Sequence, residues 1–285
     1  MVAPSSLVRA MVKLSSLPRC WKEIEGMITG YTKLREQFHL YDLHVHTPFS
    51  DSQFPIDYVI EGLIDHGIKI VGFTDHLNQF AIYHNPKRFG KDRRFVYCYS
   101  AGFQRYRKKF FQIYNKKYPQ IRFLTSAEID IGPRGQLTIP AGITTEFFDY
   151  VLVSKHITFP KDDYMWESGI YAAFAKHKID ILAHPHEAMP KHLTVEKMKR
   201  FVLYAKKFNV ALELNKNKFN EERFRPVLEY MHEFEVRASI ASDFHGFKKD
   251  PHEELNWSQH MYEIVEKYDL ELLDPRKFLP ENRKT

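Results

Sequence analysis

Short apolar segments rich in β-branched residues recur along the chain, and most are followed by a loop and a segment with helical spacing of apolar residues. The predicted strands are Leu40–Val45, Ile68–Thr74, Ile121–Ala127, Phe148–Ser154, Ile179–Ala183, Val210–Leu214 and Val236–Ala241. The predicted helices include Pro55–His66, Tyr99–Tyr118, Val195–Lys207 and Glu222–Glu233. Because parallel strands require crossover connections, this alternation predicts an α/β fold with parallel strands covered on both faces. An open doubly wound sheet and a closed barrel both fit.

Histidines and carboxylates stand at the ends of six of these seven strands. They are Asp42, His44, His46, Asp51, Asp75, His76, Glu128, His156, His184, His186, Asp243 and His245, and the remaining strand, Val210–Leu214, carries Glu213 and is followed by Asn215. Side chains at i and i+2 of a strand share a face, so His44 with His46, and Asp243 with His245, can bind one ion. Imidazoles mixed with carboxylates favour zinc, iron or manganese. Strand ends that meet around one mouth favour the barrel and predict a site for several metals.

Composition excludes several classes of protein. No apolar run approaches the ~20 residues that cross a bilayer. The two cysteines exclude a disulfide scaffold, and we expect a cytoplasmic protein. Lysine and arginine exceed aspartate and glutamate by 42 to 36, which indicates an anionic partner. We expect residues 1–39 to form a helical prefix and residues 40–285 a single barrel domain. Since the prefix is too short for a polymerase, we expect a stand-alone enzyme.

Five blocks of sequence between Asp42 and His245 resemble the PHP (polymerase and histidinol phosphatase) superfamily of metal-dependent phosphoesterases. They are DLHVHTPFSD, GFTDH, SAEIDI, VSKH with the later AHPH, and ASDFH. The resemblance implies a distorted seven-stranded, TIM-like (β/α)7 barrel with two to three zinc, manganese or iron ions. It implies three ligand groups, namely His44, His46, Glu128 and Asp243; Glu128, His156 and His184; and Asp51, His76 and His245.

Related amidohydrolase barrels also begin with an H-x-H strand, but they usually carry a bridging lysine and end in a lone aspartate. Here Glu128 and a terminal D-x-H stand instead, and strand alternation points Lys155 away from the site. We therefore prefer the phosphoesterase. Metal-activated hydroxide would attack phosphorus, and no nucleophile motif for covalent catalysis is present. Asp75, His186 and Asp243 are the candidates for the acid that protonates the leaving group. Asp42 and Asp75 could instead orient the histidines.

Three functions compete. The first is hydrolysis of a small phosphate monoester such as histidinol phosphate or a nucleotide. The second is cleavage at DNA or RNA ends, which basic and aromatic residues interleaved over 105–117 would favour. The third, a catalytically silent barrel, is disfavoured because all nine ligands are present. We expect the predicted helix Tyr99–Tyr118, which contains this segment, to pack on the barrel through Phe103, Tyr106, Phe110 and Tyr114. Cationic loop residues could attract an anionic substrate, and they are Arg134, Lys161, Lys191, Lys216, Lys218, Lys248 and Lys249.

Overall fold

The structure, a computed structural model, describes residues 40–77, 101–156, 163–190, 192–215, 219–246 and 258–282. The predicted helical prefix 1–39 lies outside the described residues. So do six of the loop lysines, namely Lys161, Lys191, Lys216, Lys218, Lys248 and Lys249.

Eight parallel strands form two sheets in the described part of the chain. The strands are β1 (Tyr41–Val45), β2 (Ile70–Phe73), β3 (Arg122–Thr125), β4 (Glu128–Asp130), β5 (Leu152–Ser154), β6 (Ile181–Leu182), β7 (Ala211–Leu214) and β8 (Ala238–Ile240). One sheet has the order β1-β2-β3 and the other β4-β5-β6-β7-β8, with every neighbouring pair parallel. All but one of these strand residues are buried, which confirms the prediction of parallel strands covered on both faces.

The prediction of seven strands in one barrel needs correction. The segment predicted as the third strand, Ile121–Ala127, ends earlier than expected, and Glu128 begins a separate strand. The two sheets are connected at their ends by isolated parallel bridges between Val45 and Phe244 and between His76 and Glu128. Eight strands in two sheets, with a break just before Glu128, are therefore what the structure shows.

Seven α-helices surround these strands in the described residues. They are α1 (Ile56–Asp65), α2 (Ala101–Lys117), α3 (Asp163–Lys176), α4 (Pro185–Ala188), α5 (Val195–Lys207), α6 (Glu221–Glu233) and α7 (Ser258–Lys267). Amphipathic patterning places four predicted helices within two residues of their observed ends. The first turn of α5 is capped by Thr194, whose side chain accepts a hydrogen bond from the Lys197 amide. The sequence interpretation did not identify α3, α4 or α7.

A buried tyrosine connects the two sheets. The Tyr150 hydroxyl, just before β5, donates to the Leu43 carbonyl in β1 over 2.6 Å. A Cβ at Gly72 in β2 would overlap this hydroxyl, so only glycine leaves room for the contact. Gly72 thereby lets a side chain from the second sheet reach the strand that carries His44.

Helix α2 faces the core differently from the prediction. Arg107 and Phe111 are buried, and Phe110 and Tyr114 pack against the core as expected. Tyr106 was expected to pack on the barrel, but its side chain is 56% exposed, and Ile113 is 64% exposed. Arg107 lies on the buried face of α2 because its guanidinium finds hydrogen-bond acceptors there.

Candidate metal centre

Four of the predicted ligands converge at the ends of β1 and β8. The Nε2 atoms of His44 and His46 lie 3.1 Å apart. The Asp243 Oδ1 atom is 3.3 Å from the first and 3.2 Å from the second. Glu128 Oε2 is 3.6 and 3.5 Å from the same two nitrogens. Strand alternation in β1 turns both imidazoles to one face, as the H-x-H spacing predicted.

Glu128 divides its two oxygens between neighbouring groups. Its Oε1 atom lies 3.1 Å from His156 Nε2 and 2.8 Å from His184 Nε2. Its Oε2 atom faces the first group and also lies 2.9 Å from His76 Nδ1. Because Glu128 begins β4 beside the end of β2, one buried carboxylate reaches side chains from both sheets.

A third group surrounds Asp51. Its Oδ2 atom is 3.3 Å from His245 Nε2 and 3.6 Å from His76 Nε2. Its Oδ1 atom is 3.3 Å from His46 Nδ1. The structure thus brings together all nine side chains that the motifs predicted as ligands.

These distances fit bound metal ions. Four ligand atoms placed 2.0–2.1 Å from a tetrahedral zinc ion are about 3.3 Å apart. The five distances within the first group, 3.1 to 3.6 Å, are close to this value. Glu128 Oε2 is buried and accepts no hydrogen bond from the described residues, which is costly for a carboxylate unless a cation faces it. The donor set therefore fits zinc, manganese or iron.

Two further carboxylates fix the orientation of the imidazoles. Glu213 Oε2 lies 2.9 Å from His44 Nδ1, and Asp130 Oδ1 lies 2.9 Å from His156 Nδ1. An acceptor at Nδ1 holds the proton there and leaves Nε2 free to bind a metal. The sequence interpretation did not identify Asp130 as a residue of the site. Its i+2 spacing from Glu128 on β4 places both side chains on one face of the strand and could have indicated it.

Two of the converging residues have a backbone conformation that L-residues rarely adopt. His184 has φ 29° and Asp243 has φ 53°. Left-handed conformations at non-glycine residues cost roughly 1–3 kcal/mol and persist at sites where the surrounding contacts enforce them. Both residues follow the end of a strand, where the turn directs their side chains toward Glu128 and His44.

A protein-family model described as PHP domain matches residues 42–268. This chain belongs to the PHP family. The match confirms the resemblance that the five blocks indicated, and with it the assignment to metal-dependent hydrolases. It spans all nine converging side chains.

Two known proteins illustrate the relationship. The crystal structure of histidinol phosphate phosphatase from Lactococcus lactis, in complex with zinc, L-histidinol and phosphate, matches with a TM-score of 0.59 and 17% identity. The match covers 82% of this chain and 95% of that one. The DNA polymerase/3'-5' exonuclease PolX of Bacillus subtilis is 26% identical over 178 residues, which are 62% of this chain and 29% of PolX. This chain therefore spans less than a third of that relative.

The nine converging side chains together are termed the PHP centre. Asp75, a predicted candidate for the acid, lies next to this centre, and both of its carboxylate oxygens accept hydrogen bonds. Its Oδ1 accepts from the Thr47 amide at 2.7 Å and from the Ser50 hydroxyl at 2.9 Å. Its Oδ2 accepts from Arg107 Nε at 2.9 Å. Asp75 therefore holds the loop after β1, which carries His46 and Asp51. Arg107 is a buried residue that sequence reasoning did not single out.

The other predicted residues around the PHP centre have distinct surroundings. His186 is buried at the start of α4, with its ring against those of Phe219 and Phe224 at 5.4 and 5.9 Å between centroids. Asp42 Oδ1 accepts from the backbone amides of His44 and Ser242, and burial raises the pKa of Asp42 to about 7. Lys155 Nζ lies against Gly169 of α3, on the covered side of the sheet.

The ionisable groups within the PHP centre shift one another's pKa. Burial opposes ionisation of Glu128, but the surrounding imidazoles of His156, His76 and His44 outweigh it and hold the pKa of Glu128 well below its ordinary value. Burial likewise opposes protonation of His76, yet Glu128 and Asp51 hold the pKa of His76 well above its ordinary value. The centre therefore attracts cations, and metal ions compete with protons for the same atoms.

Proposed function

We propose that the protein is a phosphatase that hydrolyses a small phosphate monoester at a centre of three divalent metal ions. The observation that carries this proposal is the convergence of three ligand groups on the two oxygens of Glu128 and on Asp51. Their nine side chains are those that the family resemblance implied, and His76 lies within reach of both Glu128 and Asp51. Glu128 would bridge the first and second ions.

The chain's own residues define what the centre can do. Zinc, manganese or iron bound there would supply a water of lowered pKa and positive charge against the phosphate oxygens. Glu213 and Asp130 hold the imidazoles of His44 and His156 in the tautomer that binds metal. Asp75 holds the loop that carries His46 and Asp51.

We assign protonation of the leaving group to His186. Of the three candidates, Asp75 has both oxygens engaged by Thr47, Ser50 and Arg107. Asp243 Oδ1 faces the two imidazoles of the first metal group. His186 lies two residues after His184, in the first turn of α4, and belongs to none of the ligand groups.

A small phosphate ester is the substrate class that we favour. Support comes from the Lactococcus lactis enzyme of the same fold, which was solved with L-histidinol and phosphate. The basic balance of this chain, with a net charge of +6, suits an anionic substrate.

Cleavage at nucleic-acid ends is the second candidate function. Two observations favour it: the match to part of PolX, and the exposed face of α2, where Tyr106 stands beside Arg105 and Lys109. An exposed aromatic ring between cations is a surface that can stack a base and contact phosphate.

We further infer that the two sheets belong to one distorted barrel. The bridges Val45–Phe244 and His76–Glu128 lie at the two places where one sheet meets the other. At each of these places, metal-ligand candidates come from both sheets.

The test is release of inorganic phosphate by the metal-loaded protein from a panel of monoesters, beside cleavage of single-stranded DNA and RNA oligonucleotides. Turnover of monoesters, lost in a variant with both His44→Ala and His46→Ala, supports the phosphatase. Oligonucleotide cleavage alone, lost in the same variant, favours the second function. Absence of both activities in metal-loaded protein contradicts the proposal and leaves a barrel that binds metal without catalysis.

A further inference from the structure

Glu213 contacts residues of two different ligand groups without being a predicted ligand itself. It lies in β7, a strand that contributes no residue to the three groups, and its side chain is fully buried. Its Oε2 atom is 2.9 Å from His44 Nδ1, in the first group. Its Oε1 atom accepts from the backbone amide of His184, in the second group, over 3.1 Å. The Asn215 amide also donates to Oε1, over 2.8 Å.

Every partner of Glu213 named above is a donor when His44 binds metal through Nε2. The His44 Nδ1 atom then carries the proton, and the other two partners are backbone and side-chain N–H groups. Both oxygens of Glu213 must therefore accept, which a carboxylate can do and a primary amide cannot. The contact with His184 holds a residue whose φ is 29°, so the carboxylate helps to enforce that unusual backbone.

Asp130 offers a natural comparison, because it serves a single ligand. Its Oδ1 atom contacts the Nδ1 and the backbone amide of His156 and no other ligand among the described contacts. Asp130 should therefore affect only the second group, whereas Glu213 should affect the first and the second together.

We propose that Glu213 is a positioning residue that sets the metal affinity of two of the three sites at once. This inference rests on the proposed function, because it requires the centre to hold metal ions. In Glu213→Gln the amide nitrogen must face either His44 Nδ1–H or the pair of N–H groups at Oε1. Either arrangement places an N–H group against another N–H group, and the rotation that relieves this clash at one end of the side chain displaces the acceptor at the other end. Both the first and the second site should therefore lose their oriented ligands.

The experiment counts ions per chain by elemental analysis after dialysis against a graded series of chelator concentrations. At a chelator concentration where the wild-type protein keeps its ions, Glu213→Gln should lose two ions and Asp130→Asn one. The expected fall in affinity at each affected site is about 10–100-fold. Glu167→Gln is the matched control, because Glu167 is a buried carboxylate of α3 that contacts Tyr171 and Arg200. It should keep its ions.

Retention of the third ion, held by Asp51, His76 and His245, separates positioning from general destabilisation. Should Glu213→Gln fail to fold, Asn215→Ala retains the carboxylate and removes one donor to Oε1, so it should weaken the same two sites to a lesser degree. Loss of one ion, loss of all three together, or wild-type retention in the folded variants overturns the inference. A wild-type protein that binds no transition metal overturns the proposed function, and this inference with it.

Discussion

Replacing the buried Arg107 should destabilise the protein by an amount that its contacts define. The guanidinium donates to Asp75 at 2.9 Å, to the Ser126 carbonyl at 2.7 Å and to the Phe73 carbonyl at 2.7 Å, and it has no exposed surface. Arg107→Met leaves the Asp75 charge and two carbonyl groups in the interior without this partner. Removing one partner of a buried ion pair costs about 3–5 kcal/mol.

Urea denaturation of the metal-loaded protein measures this cost as a change in the free energy of unfolding. Arg122→Met is the matched control, because Arg122 pairs with Glu281 and both side chains are about half exposed. The control should lose at most about 1 kcal/mol. The double variant with Asp75→Asn should lose less than the sum of the two single changes, since no charge is left unpaired. A cost for Arg107→Met as small as that of the control would refute this reasoning.

Three further results are expected. His186→Gln should slow hydrolysis of alkyl phosphates by roughly 10²–10⁴-fold, because their leaving group needs a proton. It should hardly affect hydrolysis of p-nitrophenyl phosphate, whose leaving group needs none. Equal slowing of both reactions would contradict the assignment of His186 as the acid. Gly72→Ala should lower the midpoint of thermal unfolding, because a Cβ there overlaps the Tyr150 hydroxyl, and an unchanged midpoint would contradict that contact. Carboxylates raise the pKa of His44 and His76 against the effect of burial, so in metal-free protein the stability that these two imidazoles contribute should be complete below about pH 6.5 and be lost as pH rises. The stability of metal-loaded protein should instead increase as pH rises, because metal binding needs neutral imidazole. Midpoints of thermal unfolding at several pH values, with and without chelator, test the direction of both changes.

Much of the fold follows from local pattern. The spacing of apolar residues identifies Val195–Lys207 without error at either end, because its buried face and its Thr194 cap are both encoded nearby. The break before Glu128 was not foreseen, because residues 121–127 are continuous in apolar character. The break arises where Glu128 pairs with His76 instead of extending β3, which is a tertiary contact.

The nine converging side chains could be predicted because each lies in a recognisable motif at or near the end of a predicted strand. The residues that support them could not be predicted in the same way. Arg107 looked like one more cation in a basic helix, and only the acceptors at Asp75, Phe73 and Ser126 explain its burial. Glu213 contacts His44 across 169 positions of sequence, and no spacing rule connects two strands that far apart.

Within the described residues, no helix is both long and apolar enough to cross a bilayer. The expectation of a cytoplasmic protein and that of a helical prefix over 1–39 stay predictions.

Counting the metal ions bound per chain tests the central claim most directly. Native mass spectrometry of metal-free protein titrated with zinc resolves each bound ion. The account predicts saturation at three ions in the wild-type protein. It also predicts loss of the first site in a variant with His44→Ala and His46→Ala that remains folded. Saturation at one ion or none, or an unchanged count in that variant, would contradict the assignment of the centre.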